Sequence, residues 1–249
     1  THKGWIVHND LIGLPEGSVV STSAGLQFTA FKPLIGDFVL SMPRGATIVY
    51  PKDAAMIIGV ADVFPGAKVI EAGVGSAALS ISLLRAIGPT GELTSFERRE
   101  DFADIARENV RTYFGTVPTN WNLNIGSVQD SSIDKKYDRV ILDMLAPWEC
   151  ISFAAEVLRP GGVFLAYVAT TTQLSMTAEA IKEDGHFTEP LSSETIVRDW
   201  HHEGLAVRPM QRMIGHTGFL IVTRRMAPGV NVLARRRRPS KGAYGVAEE

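Results

Sequence analysis

Between residues 68 and 184 the chain alternates short apolar runs with longer amphipathic segments. Runs rich in Val, Ile, Leu and Phe predict buried strands, and apolar residues three and four positions apart predict helices. This alternation with short connections indicates a doubly wound α/β fold, in which a mostly parallel sheet carries helices on both faces. The predicted strands are residues 68–72, 92–97, 122–125, 139–143 and 163–168, with extended segments at 186–197 and 207–225 that form an antiparallel edge; the predicted helices are residues 52–63, 76–86, 100–114, 148–158 and 172–183.

The first 45 residues lack helical periodicity and predict a small β module. Residues 17–21 and 26–30 flank a Ser/Gly turn, which is the pattern of a β-hairpin. We therefore expect an N-terminal module at residues 1–45, an α/β domain at residues 46–234 and a basic tail at residues 235–249. The charge of the Arg235–Arg238 run and its Pro/Gly surroundings favour a mobile, solvated tail over a phosphate-binding one.

A glycine-containing turn follows the first strand of the α/β pattern. Gly73 and Gly75 let the chain turn tightly, and the next helix directs its free N–H groups at any ligand bound there. In doubly wound sheets ligands bind beyond the carboxyl ends of the strands, where this turn lies. Two interpretations are open. With Ala78 in the last small position the turn satisfies the relaxed dinucleotide fingerprint, whereas Glu71 resembles the first motif of S-adenosylmethionine-dependent methyltransferases.

Two acidic residues end later strands at the same predicted edge. Glu97 ends the second strand, where a carboxylate accepts hydrogen bonds from the ribose hydroxyls of a bound nucleoside. Asp143 ends the strand at 139–143 and is followed by Met144-Leu145-Ala146-Pro147-Trp148. This arrangement resembles the Asp/Asn-Pro-Pro-aromatic motif with which nucleobase methyltransferases hold a base by its Watson–Crick edge.

Composition and charge narrow the choice of class. The sequence has 45% hydrophobic and 21% charged residues, an ordinary globular balance, and a formal net charge of -2. With no global basic field, any RNA contact must come from a local patch or from several subunits, with Arg44, Lys52 and the arginine tail as candidates. The single cysteine, Cys150, excludes an internal disulfide, lies in an apolar helical stretch and favours a reducing compartment. No apolar run reaches membrane-spanning length, because Arg85 interrupts the longest candidate, and we expect a trimmed start at Thr1.

Together the motifs resemble the bacterial tRNA adenine-N1 methyltransferases that modify position 58 in the T-loop, in their actinobacterial form. The resemblance spans nearly the whole chain, and the set of motifs is far more specific than any one of them. The matching segments are Ser41-Met42-Pro43-Arg44-Gly45, Tyr50-Pro51-Lys52-Asp53, Val69-Ile70-Glu71-Ala72-Gly73, Leu142-Asp143-Met144-Leu145-Ala146-Pro147-Trp148, Ala166-Tyr167-Val168-Ala169-Thr170 and Gly215-His216-Thr217-Gly218-Phe219-Leu220.

The resemblance implies a seven-stranded, Rossmann-like methyltransferase sheet with a small N-terminal β-barrel, assembled as a homotetramer in the cytoplasm. It implies S-adenosylmethionine as cofactor, no metal, tRNA as substrate and no membrane partner. Asp143 would contact the target adenine, and Tyr50 and Tyr167 would line its pocket. The residues expected around the cofactor are Glu71, Gly73, Gly75, Ser76, Ala77, Ala78, Leu79, Glu97, Arg98, Phe102, Ser127, Val128 and Asp143.

Two residues depart from the family pattern, and each departure weakens a single expected contact. Ala77 replaces the usual third glycine, and Ser127 stands where relatives often have an acid near the adenine of the cofactor.

Two other functions agree with parts of the sequence. The relaxed fingerprint supports a nicotinamide-dependent oxidoreductase, which would bind NAD(H). A non-catalytic tRNA-binding partner subunit would share the fold, but it could lose the glycine turn and Asp143, and this chain has both. His201 and His202 lack the further ligands of a metal site, and His216 suits a pocket-lining and a structural role equally.

Overall fold

The computed structural model of the chain describes residues 2–230, so the predicted tail at residues 235–249 lies outside the described residues. Contacts within the chain group it into two compact units, one ending at Met42 and the other beginning at Pro43. No helix of the described part is long and apolar enough to cross a membrane.

The N-terminal unit contains a hairpin and a short helix. β1 (Ser18–Ser21) pairs antiparallel with β2 (Gln27–Ala30), which confirms the predicted hairpin. Among residues 2–42 this hairpin is the only sheet, and a 3-10 turn at His8–Asp10 precedes it. The expectation of no helix before residue 45 is wrong, because α1 occupies Ile35–Ser41. With seven residues and only Val39 buried, α1 is too short to show a 3.6-residue period in the sequence.

A seven-stranded sheet forms the centre of the second unit and confirms the predicted α/β fold. The order across the sheet is β5-β4-β3-β6-β7-β11-β8. The first five strands in this order are parallel to one another. β11 is antiparallel to both of its neighbours, β7 and β8. The antiparallel pairing predicted at the late edge is therefore confirmed. The strands are β3 (Lys68–Ala72), β4 (Glu92–Glu97), β5 (Trp121–Ile125), β6 (Tyr137–Asp143), β7 (Leu158–Val168), β8 (Leu191–Glu194) and β11 (Phe219–Arg224).

The helices flank this sheet and cover its apolar strands. Ile70, Val140 and Leu142 are wholly buried, as expected for central parallel strands. The bounds of β3, β4 and the helix at Glu100–Phe114 agree with the predicted ones. The helices are α2 (Pro51–Val60), α3 (Ala78–Ile87), α4 (Glu100–Phe114), α5 (Ile151–Val157) and α6 (Thr171–Asp184), with 3-10 turns at Val128–Asp130 and Pro147–Cys150.

Two stretches in the second half differ from the predictions. The helix expected at 148–158 is a 3-10 turn followed by α5, and β7 begins at Leu158 as a bulged extension in which Gly161 has a φ of 80°. The segment 207–225 is not one extended stretch, because its start belongs to a separate hairpin of β9 (Trp200–Glu203) and β10 (Ala206–Pro209). These four-residue strands do not join the main sheet, so they carry no buried apolar alternation that the sequence could reveal.

The register of the parallel strands brings the predicted site residues to one edge. Ala72 at the end of β3 pairs with Phe96 on β4 and with Leu142 on β6, and Asp143 pairs with Tyr167 on β7. The direction of strand progression reverses at β3, which lies between β4 and β6. Ligands of open α/β sheets bind at such a switch point.

Candidate active site

A cavity of about 1040 Å³ runs along the carboxyl ends of β4, β3, β6 and β7. From Glu97 on β4 to Tyr167 on β7 is three inter-strand spacings, or roughly 14 Å. A cavity of this volume and length accommodates a nucleoside-sized ligand and a second planar group beside it. The predicted site residues that line it are Tyr50, Gly73, Gly75, Ser76, Ala78, Leu79, Glu97, Arg98, Phe102, Ser127, Val128, Asp143 and Tyr167.

The turn after β3 depends on the missing side chain of Gly73. This residue has a φ of 87°, and a Cβ atom on it would lie 1.7 Å from the carbonyl oxygen of Asp143. At Gly75, where φ is 53°, an added Cβ would have its nearest neighbour 3.9 Å away. Ala77 adopts a φ of 68°, a left-handed conformation that costs an alanine about 1–2 kcal/mol.

Glu71 lies beneath the turn and, like Ala77, does not line the cavity. Its fully buried carboxylate accepts hydrogen bonds from Ser80 Oγ at 2.8 Å and from Ser95 Oγ at 2.7 Å. Burial, reinforced by the charge of Glu97, raises the pKa of Glu71 to about 7 against the effect of these hydrogen bonds. Glu71 thus joins β3 to α3 and β4 and supports the turn from behind.

Glu97 has both carboxylate oxygens on backbone N–H groups. The N–H of Gly75 donates to Oε2 at 2.9 Å, and the N–H of Arg99 donates to Oε1 at 3.0 Å. Each oxygen retains acceptor capacity for a further donor. The side chain therefore fixes the glycine turn and still presents acceptors to the cavity.

The loop after β5 and the start of α4 complete this end of the cavity. Arg98 Nη2 donates to Ser127 Oγ at 3.1 Å and to Gln129 Oε1 at 3.4 Å. Ser127 and Gln129 are also hydrogen-bonded to each other. The ring of Phe102 packs against the Arg99 guanidinium, 3.6 Å from ring centroid to Cζ. At position 127, where the family resemblance leads one to expect an acid, this chain therefore presents a hydroxyl held by an arginine.

Asp143 occupies the centre of the cavity edge. Within residues 2–230 no group donates a hydrogen bond to its carboxylate. Burial first, and then the charges of Glu71 and Glu97, raise the pKa of Asp143 to about 7. A carboxylate in this setting is stabilised by a partner that brings a hydrogen-bond donor or a positive charge.

A polar cluster beside Tyr167, with Asp53 buried and Thr217 at the cavity wall, was not predicted from the sequence. The cluster consists of Lys52, Asp53 and Thr217, and it includes a short ion pair of 2.7 Å between Lys52 Nζ and Asp53 Oδ1. Lys52 Nζ also donates to Thr195 O at 2.7 Å and to Thr217 Oγ1 at 2.6 Å. The expectation that Lys52 contacts phosphate is therefore wrong, because its ammonium group is used inside the protein.

His216 lies next to this cluster and has a structural position. Its Nδ1 is 2.6 Å from Glu194 Oε1 and its Nε2 is 2.8 Å from Ala169 O. Both partners are acceptors, so the ring satisfies both when each nitrogen carries a proton, and the carboxylate of Glu194 raises the pKa of His216. The ring thereby joins β8 to the end of β7 without lining the cavity.

The remaining candidate ligands do not assemble. His201 and His202 are neighbours on β9, and His201 contacts Glu203 at 3.3 Å. The described part of the chain holds no group of three or more His, Cys, Asp or Glu side chains suited to a metal ion. Cys150 is buried in the apolar core, as its apolar surroundings in the sequence favour.

The sheet order and the cavity at its switch point define a Rossmann-like fold, and the comparisons with known proteins identify it as that of a methyltransferase. A crystal structure described as a SAM-dependent O-methyltransferase from Thermotoga maritima matches with a TM-score of 0.86 and 31% identity, covering 91% of this chain and 84% of that chain. The chain belongs to the family of the tRNA methyltransferase complex GCD14 subunit, whose family model matches residues 36–205. A TrmI-like N-terminal model matches residues 1–20.

Named relatives agree with this family. The tRNA (adenine(58)-N(1))-methyltransferase TrmI of Thermus thermophilus is 32% identical over 229 residues, covering 90% of this chain and 87% of the relative. A tRNA (adenine(57)-N(1)/adenine(58)-N(1))-methyltransferase TrmI of Methanocaldococcus jannaschii is 30% identical, covering 86% and 84%. TrmI of Aquifex aeolicus shares the fold, with a TM-score of 0.80 at 24% identity, over 89% of this chain and 86% of that chain. Of the two interpretations of the glycine turn, family membership therefore supports the methyltransferase and not the dinucleotide-dependent oxidoreductase.

We predict that Gly73→Ala and Gly75→Ala destabilise the protein to different degrees. Both positions have positive φ, which costs an alanine about 1–2 kcal/mol. Only Gly73→Ala adds a collision with backbone, so its total loss is about 2–5 kcal/mol. Urea unfolding of the two variants measures the difference. Equal losses would contradict the close approach of the Asp143 carbonyl to the turn.

Proposed function

We propose that this protein transfers a methyl group from S-adenosylmethionine to N1 of adenine 58 in the T-loop of tRNA. The observation that carries the proposal is the Asp143 carboxylate. It lies in the cavity beside the glycine turn, receives no hydrogen bond from the described residues and is flanked by Tyr167 on the neighbouring strand. Family membership supplies the substrate class, and the site supplies a place for the reacting base.

The Glu97 end of the cavity fits the cofactor. Glu97 offers acceptors for two ribose hydroxyls, and the Gly75 turn gives access to bare backbone at the start of α3. Phe102 and Val128 supply apolar walls for the adenine ring, with Ser127 at its edge. Calorimetric titration with S-adenosylhomocysteine should show binding, and titration with NAD(H) should show none.

Asp143 performs the electrostatic part of the reaction. When bound, S-adenosylmethionine would supply an electrophilic methyl group to the N1 lone pair of adenine; the S–C bonding electrons would stay on sulfur, and the positive charge would pass to the purine. N1 carries no proton that must leave first. The Asp143 carboxylate accepts a hydrogen bond from N6 and stabilises the charge that develops on the ring.

The target base must leave its tRNA stack to reach Asp143. Bases that undergo chemistry in folded nucleic acids are extruded into a pocket and held there by contacts to their edge and faces. Tyr50 at the start of α2 and Tyr167 on β7 line this end of the cavity and offer aromatic surface for such a base. Because the chain has a net charge of -2, contacts with tRNA phosphates must come from local basic groups such as the exposed Arg44.

We further propose that the protein works as a homotetramer in the cytoplasm. One face of the hairpin of β9 and β10 is mainly apolar: it carries Trp200, 54% exposed, and Val207, 53% exposed, together with Pro209 and His202. The opposite face carries Glu203 and Arg208. A second copy of the chain is the occupant that the apolar face suits, because exposed apolar patches with a polar rim mark association surfaces. A tRNA substrate and an unpaired cysteine thiol agree with the cytoplasm.

The pH dependence of the reaction tests the role of Asp143. Because the pKa of Asp143 is raised to about 7, its carboxylate becomes protonated as the pH falls through that range. The rate of single-turnover methylation should fall with the ionised fraction. The cationic cofactor favours the ionised form, so the midpoint in the loaded enzyme should lie below 7 and above the ordinary carboxyl value. Asp143→Asn should react about 10²–10³-fold more slowly and show no such decline. A near-normal rate in Asp143→Asn, or an unchanged decline, would contradict the proposed role.

Two lysine substitutions on β10 test the tetramer. Val207→Lys places a charge on the apolar face of the hairpin, whereas Ala206→Lys places the same charge on the opposite face. A buried, unpaired charge weakens an interface by about 2–5 kcal/mol, so Val207→Lys should shift sedimentation velocity to smaller species. Ala206→Lys should leave the assembly intact. If the wild-type protein sediments as a monomer, or if both variants behave alike, this face is not the interface.

A further inference from the structure

Asp53 is almost fully buried behind Tyr167, with 1% of its surface exposed. Its Oδ1 accepts from Lys52 Nζ at 2.7 Å, and its Oδ2 accepts from Thr217 Oγ1 at 2.7 Å. The Tyr167 hydroxyl makes a long contact of 3.5 Å with Oδ2 and also interacts with the Thr217 side chain. A carboxylate has no proton to give, so the tyrosine must donate in this contact. The phenolic proton of Tyr167 therefore points away from the cavity, towards Asp53.

The tyrosine ring has little freedom to change this orientation. A Cβ atom on Gly218 would lie 2.4 Å from Tyr167 Cζ, so the backbone of the Thr217-Gly218 segment presses on the end of the ring. Tyr167 is itself 8% exposed. With its proton directed towards the Asp53 and Thr217 side, the phenolic oxygen presents acceptor capacity to the cavity.

Asp143 supplies a second acceptor beside the first. It is the register partner of Tyr167 on the adjacent parallel strand, so the two side chains lie on the same face of the sheet about 4.8 Å apart at the backbone. Its carboxylate also receives no hydrogen bond from the described residues. This end of the cavity thus presents two acceptors together. The exocyclic amine of adenine offers two N–H donors, whereas the corresponding oxygen of guanine offers none.

We propose that Asp53 is a positioning residue that sets base specificity, by keeping Tyr167 as a hydrogen-bond acceptor for the adenine amine beside Asp143. The inference rests on the proposed function, because it assumes that the base held at this end is the methyl acceptor. Lys52 and Thr217 have a defined part in it: each occupies one oxygen of Asp53 and fixes which oxygen faces the tyrosine.

Asp53→Asn gives a distinctive prediction. An ammonium group beside an NH2 group would oppose donor to donor, so the amide oxygen of the asparagine takes the place of Oδ1 next to Lys52 Nζ and its NH2 group takes the place of Oδ2, where Thr217 Oγ1 changes from donor to acceptor. The NH2 group then donates to Tyr167, and the phenolic proton turns into the cavity, where it opposes the adenine amine. Asp53→Asn should therefore impair amine recognition more than Tyr167→Phe, which merely removes one acceptor.

The experiment compares two tRNAs ligated from synthetic fragments, one with adenine at position 58 and one with purine. Purine keeps the N1 lone pair and lacks the exocyclic amine. The ratio of the single-turnover methylation efficiency with the adenine tRNA to that with the purine tRNA therefore measures recognition of the amine. We expect wild type to prefer adenine strongly. Tyr167→Phe should reduce the preference about 2–10-fold, as for loss of one neutral hydrogen bond. Asp53→Asn should reduce it further, and in the Tyr167→Phe background it should have no additional effect on the ratio.

Several outcomes decide between this inference and a purely structural role. If Asp53→Asn slows methylation of both tRNAs equally, the inference is wrong. It is also wrong if Asp53→Asn still changes the ratio in the Tyr167→Phe background. Thermal unfolding and S-adenosylhomocysteine binding by calorimetry establish that each variant is folded. If Asp53→Asn does not fold, Tyr167→Phe decides alone, since an unchanged ratio overturns the inference. Wild-type protein that methylates neither tRNA would instead overturn the proposed function.

Discussion

The close contact between the Gly73 Cα and the Asp143 carbonyl oxygen is the constraint on which the site depends. Because residue 73 has no side chain, the end of β6 lies directly against the turn after β3. This contact brings the Asp143 carboxylate to the turn that gives access to the α3 N-terminus. A larger residue would separate the two strand ends, and with them the two halves of the cavity. The transfer of a group between two ligands needs these halves to be adjacent.

Three carboxylates lie near this contact, and their partners give them different parts. Glu71 is held by serine hydroxyls, Glu97 by backbone N–H groups, and Asp143 by no described donor. Burial raises the pKa of both Glu71 and Asp143 to about 7, but of these two only Asp143 lines the cavity, where a ligand can reach it. A cation in the cavity, or a base that becomes cationic, stabilises its ionised form. The site is thus arranged to favour the state in which positive charge has reached the base, which is the condition for electrostatic catalysis.

The sequence predicts those features that repeat locally, and it does not predict those that depend on distant contacts. β3, β4 and α4 follow from apolar period and turn residues, so their bounds agree with the structure. The left-handed conformation of Ala77 is not predicted, because sequence rules assign positive φ to glycine rather than to alanine. The Thr217 to Asp53 hydrogen bond joins residues 164 positions apart, so in the sequence Lys52 and Asp53 resemble an exposed helix start. Only the contacts of the pair with Thr195 and Thr217, far along the chain, show that both side chains are used inside the protein.

Nucleoside analysis of modified tRNA tests the central claim most directly. An unmodified tRNA transcript is incubated with the protein and methyl-labelled S-adenosylmethionine, digested to fragments and nucleosides, and examined by mass spectrometry. The account predicts labelled N1-methyladenosine in the T-loop fragment, and none when guanine replaces adenine at position 58. Absence of any labelled nucleoside, or label on another atom or another base of the tRNA, would contradict it.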